Sequence, residues 1–468
     1  MLNNYQQDDT IVAIATAAGV AALGIIRVSG KDAIAIGNKV FKGRNLENAD
    51  SHTVHYGYIT DGPHTIDEVM VTVFRAPKSF TTEDSLEIAC HGSAFILEAV
   101  VNVLIKNGAR LAQPGEFTIR AFMKGRIDLA QAEAVADLIV SQNEAQHTLA
   151  MRQMRGGITG EIQGLRSELL DFVSLIELEL DFGEEDVEFA NRDQLVGLIN
   201  KITGHIDPLI ASFKYGNAIK SGIPTAIIGR PNAGKSSLLN LLLKDERAIV
   251  SDIAGTTRDT IEEVLNISGT AFRFIDTAGI RATEDTIEKI GISKALKKID
   301  EAAIVLYIFD VSTTNTEAVF EDLKMIGERN ADSRLMILAN KTDLVTTEQL
   351  SNIAAEIKSK GYESVFFIQA SGRAGVHIEA LIGALEHEAS QMQAGDNATI
   401  VSNVRHYTAL KQARAALQKV TEGIEAGISS DLLSLDIRQA LQSLGEITGE
   451  VTSDEILGNI FGKFCIGK

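Results

Sequence analysis

The sequence predicts a multidomain chain: an α+β N-terminal domain, a discontinuous all-α helical domain, and an α/β domain inserted between the two helical halves. Three observations point there. Up to about residue 112, short strand-like runs are mixed with brief helical stretches. From residue 128 to about 181, and again from Val401 onward, apolar residues recur at spacings of three and four. Between those halves the apolar run Ala226, Ile227, Ile228 precedes a glycine-rich turn and then Leu238, Leu239, Leu241 and Leu242, which reads as strand, loop, helix. Neither helical half carries enough apolar surface for a comfortable core of its own, so the two are expected to pack on each other.

In chain order, strands are expected at residues 23–28, 54–59, 69–74 and 86–89, with helices at 33–40 and 94–105. Gly108, Pro114 and Gly115 punctuate the end of this N-terminal domain, residues 1–124. Leu129, Ala132, Val135, Ala136 and Ile139 then open the first half of the helical domain, residues 125–217. The acidic run 181–189, with Glu184, Glu185, Asp186 and Glu188, reads as a solvated helix end. An amphipathic stretch from 194 to about 213 leads to Gly216 and Gly222, the expected junction into the inserted domain, residues 218–386. Polar residues 391–397 form a linker, and helices at 407–425 and 432–444 make the second helical half, residues 387–468. The final segment, Ile460-Phe461-Gly462-Lys463-Phe464-Cys465-Ile466-Gly467-Lys468, is too apolar for a frayed tail and is expected to dock.

Composition narrows the function classes. With 45% hydrophobic and 23% charged residues and no apolar run long enough to cross a bilayer, the 468-residue chain reads as soluble, and its polar N-terminus suggests a cytoplasmic protein. Cys90 and Cys465 are too few for a disulfide framework or a cysteine zinc site. A net charge of −19 argues against a broad nucleic-acid surface, so any RNA contact has to be local or shared with a partner. The absence of tryptophan and the 5% aromatic content argue against a base-stacking platform.

Residues 229–237 read Gly-Arg-Pro-Asn-Ala-Gly-Lys-Ser-Ser. Such a loop turns successive backbone N–H groups, here of Asn232, Ala233, Gly234, Lys235, Ser236 and Ser237, inward around a polyphosphate. Lys235 would reach the terminal phosphates and the Ser236 hydroxyl would hold magnesium. Asp276-Thr277-Ala278-Gly279 follows an apolar strand and sets a carboxylate beside the metal. Asn340-Lys341-Thr342-Asp343 follows another, and a carboxylate at Asp343 accepts from N1–H and the exocyclic amine of guanine, where adenine offers an acceptor. The pattern therefore selects GTP over ATP. Ser251-Asp252-Ile253-Ala254-Gly255-Thr256-Thr257 supplies a loop with a second metal-binding hydroxyl, and Ser371-Gly372-Arg373 follows the last strand. Together these predict a Ras-like P-loop G domain.

The residue directly after the Asp-x-x-Gly segment is Ile280, where a glutamine orients the attacking water in Ras-type switches. Ile280 has no polar atom, so another group has to act; Glu284, Asp285 and Glu288 are the candidates. Asn232 reads either as a plain turn asparagine or, with backbone carbonyls of the loop that begins at Ser251, as a ligand for a monovalent cation near the scissile bond.

These motifs occur together with Pro114-Gly115-Glu116-Phe117-Thr118, with Asp128-Leu129-Ala130-Gln131-Ala132-Glu133-Ala134 and with the ending Phe464-Cys465-Ile466-Gly467-Lys468. The whole chain closely resembles the MnmE (TrmE) family of tRNA-modification GTPases. The resemblance implies a homodimer that binds a formyl-tetrahydrofolate through its N-terminal domain. It also implies a heterotetramer with the flavoprotein MnmG, which carries FAD and uses NADH, for installing aminomethyl or carboxymethylaminomethyl groups on the wobble uridine of tRNA. On the same resemblance, Asn232, Ser251, Ile253 and Thr256 form a potassium site, Ser236 and Thr257 bind magnesium, and Glu288 orients the water. Arg27, Glu87, Arg126 and Lys468 match the folate positions, and Cys465 is a candidate for chemistry there. Departures from the family pattern are Ala21-Ala22-Leu23 before Gly24, Arg126 where lysine is common, and Gly183 in place of a frequent proline. The alternative is a ribosome-assembly GTPase without modification activity, a class that normally appends a basic RNA-binding module; none is visible in this sequence.

Overall fold

A computed structural model describes residues 9–17, 19–181, 192–244, 248–250, 263–275, 299–313, 315–330, 333–362, 365–369, 378–392, 399–462, 464 and 467. The chain divides into two compact units, one of Met1–Ile139, Arg152–Ile202 and Gln412–Lys468, the other of Val140–Met151 and Thr203–Lys411.

In the first unit, period-two alternation builds a seven-stranded sheet. Its strands are β1 (Ile11–Ile14), β2 (Ala21–Ser29), β3 (Phe41–Gly43), β4 (Thr53–Asp61), β5 (His64–Phe74), β6 (Ser85–Gly92) and β7 (Arg110–Leu111). They lie in the order β3-β4-β5-β6-β2-β1-β7, and only the β1–β7 pairing is parallel. Ile26 and Val28, Val69, Val71 and Val73, and Leu86, Ile88 and Cys90 point to one face. There they meet α1 (Ala33–Val40) and α2 (Ala94–Lys106), which contribute Ile34, Ile36, Leu97, Val100 and Leu104. The alternate positions Val54, Tyr56, Tyr58 and Met70 stand exposed on the other face. The strands at 23–28, 54–59, 69–74 and 86–89 and both helices are as expected; β1, β3 and β7 are too short for alternation to announce them.

The Pro114-Gly115 stretch opens α3 (Glu116–Met123), a helix of only eight residues. Its first residue is the centre of an ionic network. Fully buried Glu116 accepts from Arg110 Nη2 at 2.7 Å, Arg120 Nη2 at 2.9 Å and the Gln113 amide at 2.8 Å. Arg120 also donates to Asp9, at 2.7 Å, and to Glu83. Burial alone would push the Glu116 carboxyl up, but the Arg110 and Arg120 guanidinium groups and the Gln113 amide outweigh it and hold it below 4.5.

The Asp128 motif begins α4 (Leu129–Val140) with a reciprocal cap: Asp128 Oδ1 accepts from the Gln131 amide at 2.7 Å, and Gln131 Oε1 accepts from the Asp128 amide at 3.0 Å. Helix α5 (Glu144–Met154) follows, then α6 (Gly157–Asp181), α7 (Arg192–Ser221) and, much later, α12 (Val404–Glu425), α13 (Ser430–Thr448) and α14 (Asp454–Phe461). Arg166 of α6 pairs with Glu450 just beyond α13. The apolar tail does dock. Phe461 and Phe464 pack with Ile119, Leu129, Ala132 and Leu457, and Gly115 passes so close that a Cβ would lie 2.7 Å from the Phe461 carbonyl.

Gly216 does not break its helix. Helix α7 runs through Pro208 and Gly216 to Ser221, and the missing side chain at 216 instead admits the Val401 carbonyl, 2.2 Å from where a Cβ would stand. Gly222, with φ of 82°, makes the actual turn.

The second unit holds another seven-stranded sheet, in the order β14-β13-β12-β8-β11-β10-β9. Its strands are β8 (Ile223–Ile228), β9 (Ala248–Val250), β10 (Glu263–Ile267), β11 (Thr270–Phe274), β12 (Ile304–Asp310), β13 (Arg334–Asn340) and β14 (Val365–Ile368). From β14 to β11 the pairings are parallel, and β9 and β10 add an antiparallel edge. Every residue of β12 is buried, as a strand covered on both faces requires. One face packs α8 (Lys235–Lys244) and α11 (Ile378–Met392), the other α9 (Thr316–Arg329) and α10 (Thr347–Ser359).

Glu116→Gln keeps the shape but removes a buried charge facing two arginines, and is expected to cost about 3 kcal/mol in urea unfolding at neutral pH. Because the folded carboxyl lies below its ordinary 4.5, its contribution is present above that value and is lost as pH falls through the lower folded value. The deficit of the variant should therefore shrink in acid; an unchanged deficit at about pH 3 would contradict the network's electrostatic role.

Candidate functional site: a phosphate loop at the strand ends

Residues 229–234 leave β8 at the carboxyl edge of the parallel sheet, where open α/β sheets bind ligands. The loop runs in close quarters. At Gly229 a Cβ would lie 2.1 Å from the Ile308 carbonyl of β12. Asn232 and Gly234 have φ of 60° and 102°, and a Cβ on Gly234 would lie 2.1 Å from Asn340 Nδ2. That amide donates to the Ala233 carbonyl at 2.8 Å, so the end of β13 fixes the crest of the loop. Asn340 is buried, where an amide needs its partners. Lys235 opens α8 and its Nζ donates back to the Gly229 and Arg230 carbonyls, 2.8 Å each, which sets the ammonium over the mouth of the loop. Ser236 lies in the same first turn.

The Asn340–Asp343 segment is held by an acid that motif spacing did not single out, Asp310. Lys341, in a left-handed conformation with φ of 63°, places Nζ 2.6 Å from Asp310 Oδ2 at the end of β12. Burial raises the Asp310 pKa, but Lys341 and the Ser312 hydroxyl and amide more than offset it, so the carboxylate stays ionised. Thr342 Oγ1 donates to the Ile368 carbonyl of β14 at 3.3 Å, and Asp343 stands exposed at the rim. The structure thus brings Asn232, Ala233, Gly234, Lys235, Ser236, Ser237, Asn340, Lys341 and Asp343 to one sheet edge. Ser251 through Thr257, Asp276 through Gly279, Glu288, Ser371, Gly372, Arg373, Cys465 and Lys468 lie outside the described residues.

In the first unit, Arg27 and Glu87 are direct cross-strand partners of β2 and β6. Arg27 Nη2 and Nε donate to Glu87 Oε1 at 2.7 and 3.1 Å. Phe80, which the sequence did not flag because it stands alone in a polar stretch, lies between two cations: the Arg27 and Arg126 guanidinium carbons are 5.6 and 5.3 Å from its ring centroid. Arg126 also donates to the Ser79 carbonyl. A cavity of about 550 Å³ borders this group, lined by His52, Phe74, Ser79, Phe80, Thr82 and Arg126. The docked tail reaches the neighbouring strand: at Gly467, with φ of 101°, a Cβ would lie 2.3 Å from the Ile14 carbonyl, one residue along β1 from Ala13, the partner of Arg27. Cys90 is no candidate nucleophile, since burial pushes its thiol up to about 11.

A strand, a glycine-built anion cradle and a helix beginning with lysine, set at the carboxyl edge of a mostly parallel sheet, define a P-loop nucleotide-binding protein. Two family models match, one described as GTP-binding protein TrmE N-terminus over residues 10–126, the other as MnmE helical domain over residues 129–465. The second spans the α/β sheet, as a helical domain interrupted by an insertion does. The chain is 50% identical to the tRNA modification GTPase MnmE of Christiangramia forsetii, over 98% of this chain and 99% of that one. It is 51% identical to those of Flavobacterium johnsoniae and Bacteroides thetaiotaomicron, over the same shares. The chain belongs to the MnmE family.

Gly234→Ala would press a methyl group onto Asn340 Nδ2 and strain a left-handed backbone, so the bond to Ala233 has to break. Nucleotide affinity should fall at least about tenfold, a loss of about 1.4 kcal/mol, in a fluorescent-nucleotide titration.

Proposed function

We propose that this chain is a dimeric GTP hydrolase whose nucleotide cycle gates modification of the tRNA wobble uridine. The observation that carries the reading is the Asn340–Ala233 bond, which joins the phosphate loop to the segment that carries Asp343. One rigid edge then offers backbone amides to phosphates and a carboxylate to guanine.

In this reading residues 1–124 form the folate-binding and dimerisation domain, 125–217 and 387–468 the split helical domain, and 218–386 the G domain. The amides of residues 232–237 and Lys235 hold the phosphates, and Asn340, Lys341, Asp343 and Ser371-Gly372-Arg373 hold the base. Residues 251–257 contribute a second metal-binding hydroxyl, and Asp276 of residues 276–279 a carboxylate beside the magnesium. The left-handed Asn232 and the first-turn Ser236 suit cation binding at the loop. With Ser251, Ile253 and Thr256 for potassium, and Thr257 for magnesium, they would hold ions that neutralise charge developing between the phosphates. Glu288 orients the attacking water, because Ile280 has no atom to do so.

The folate reading rests on Arg27 and Arg126 on either side of Phe80 and on Glu87 paired with Arg27, with Cys465 and Lys468 assigned by the resemblance alone. Cations suit the carboxylates of a folate tail, and Glu87 accepts from pterin donors. A bound folate would supply the one-carbon unit. The exposed face with Val54, Tyr56, Tyr58 and Met70 supports a homodimer. A partnership with the MnmG flavoprotein reconciles tRNA as substrate with the −19 net charge, since the partner brings basic surface. Among the described residues no helix is long and apolar enough to cross a membrane, in keeping with the proposed cytoplasmic location.

Mass spectrometry of tRNA from cells lacking the gene should show unmodified wobble uridines; normal modification would refute the proposal. GTP turnover should be much faster in potassium than in sodium, and equal rates would remove the potassium site. Glu288→Ala should abolish hydrolysis at nearly unchanged GTP affinity, and substantial turnover by that variant would show the assignment to be wrong.

A further inference from the structure

The second residue of the phosphate loop, Arg230, carries a positive charge beside the phosphate cradle, yet its guanidinium is turned away to another helix. Its Nε and Nη2 donate to Asp322 Oδ2 and Oδ1 of α9 at 2.9 and 3.2 Å, and Nη2 also reaches the Ala318 carbonyl at 3.2 Å. The Asp322 carboxylate accepts a third bond, at Oδ2 from the hydroxyl of Tyr307 on β12, at 2.7 Å. Tyr307 is almost wholly buried, so it cannot follow a moving partner. The backbone of the same arginine is engaged as well: its carbonyl accepts from Lys235 Nζ at 2.8 Å and from the Ala233 amide at 3.3 Å.

We propose that Arg230, Asp322 and Tyr307 form a clamp that holds the first half of the phosphate loop to α9 and β12, so that Arg230 positions Asn232 and Lys235 and is not itself a phosphate ligand. The inference rests on the nucleotide reading given above. Two anchors then bracket the left-handed turn at Asn232, the Arg230 clamp on one side and the Asn340–Ala233 bond on the other. A planar fork gripping both carboxylate oxygens fixes direction as well as distance, which a lysine does not reproduce. Since α9 carries the far end of the clamp, any displacement of that helix is transmitted to the cradle.

The test compares the full-length wild type with Arg230→Lys, Asp322→Asn, Tyr307→Phe and the double variant Arg230→Lys/Asp322→Asn. Readouts are fluorescent GDP and GTP-analogue titrations, steady-state GTP turnover and thermal unfolding. Arg230 and Asp322 are both partly exposed, and such pairs add little to folding, so these variants are expected to unfold near the wild-type temperature. Arg230→Lys and Asp322→Asn should each lower kcat/KM about tenfold, with the double variant no worse than either single, because one interaction is lost in all three. Tyr307→Phe should give a smaller loss in the same direction.

If losses in the double variant multiply, or if Arg230→Lys binds and turns over like the wild type, the clamp is overturned while the nucleotide reading stands. A direct phosphate ligand would instead show a loss for Arg230→Lys and none for Asp322→Asn, which also overturns it. A wild type that binds no guanine nucleotide would overturn the nucleotide reading and the clamp with it.

Discussion

The hydrogen bond from Asn340 to the Ala233 carbonyl is the contact on which the nucleotide site depends. Asn340 ends one parallel strand, Ala233 lies on the loop that follows another, and the bond spans β12 between them. A side-chain amide buried at that depth has to be satisfied, and the Ala233 carbonyl satisfies it only if Gly234 has no Cβ. Gly229 faces the same limit against Ile308. The cradle is therefore shaped by backbone crowding at a sheet edge, and the polyphosphate chemistry follows from which amides that crowding leaves pointing inward.

Charge is distributed around the edge in the same economical way. Lys341 is neutralised by Asp310 and Arg230 by Asp322, while Lys235 donates to loop carbonyls that a backbone already places at its mouth. Two of the three cations nearest the loop are thus committed to holding protein segments in place. Electrostatic stabilisation of phosphate works best when donors are preorganised, because no reorganisation is then required as charge develops. Ion pairs at the strand ends supply that stiffness.

The first unit uses a different device. Its sheet buries one face under two helices, and its second ligand-like cluster lies on the opposite side of β2 and β6, where Arg27 and Glu87 are cross-strand neighbours. Alternation puts them there: Ile26 and Val28 face the core, so Arg27 cannot. The ring of Phe80 lies between two guanidinium groups, and Gly467, from the other end of the chain, meets the same sheet at Ile14.

The sequence by itself determined the strands with clear alternation, the helices with long periodicity, the phosphate-loop position and the strand-end position of the Asn340–Asp343 segment, because each of these is written in neighbouring residues. Val365–Ile368 and Ala33–Val40 needed no tertiary information for this reason. What only the tertiary structure decided involves residues far apart in the chain: that Gly216 is a packing contact for Val401 and not a break, that Asp310 serves Lys341, that Phe80 joins Arg27 to Arg126, and that Gly467 lies against Ile14 of β1. Local pattern records what a segment prefers, whereas close approach and ion pairing depend on which surfaces the fold brings within a few ångströms, and no spacing along the chain encodes that distance.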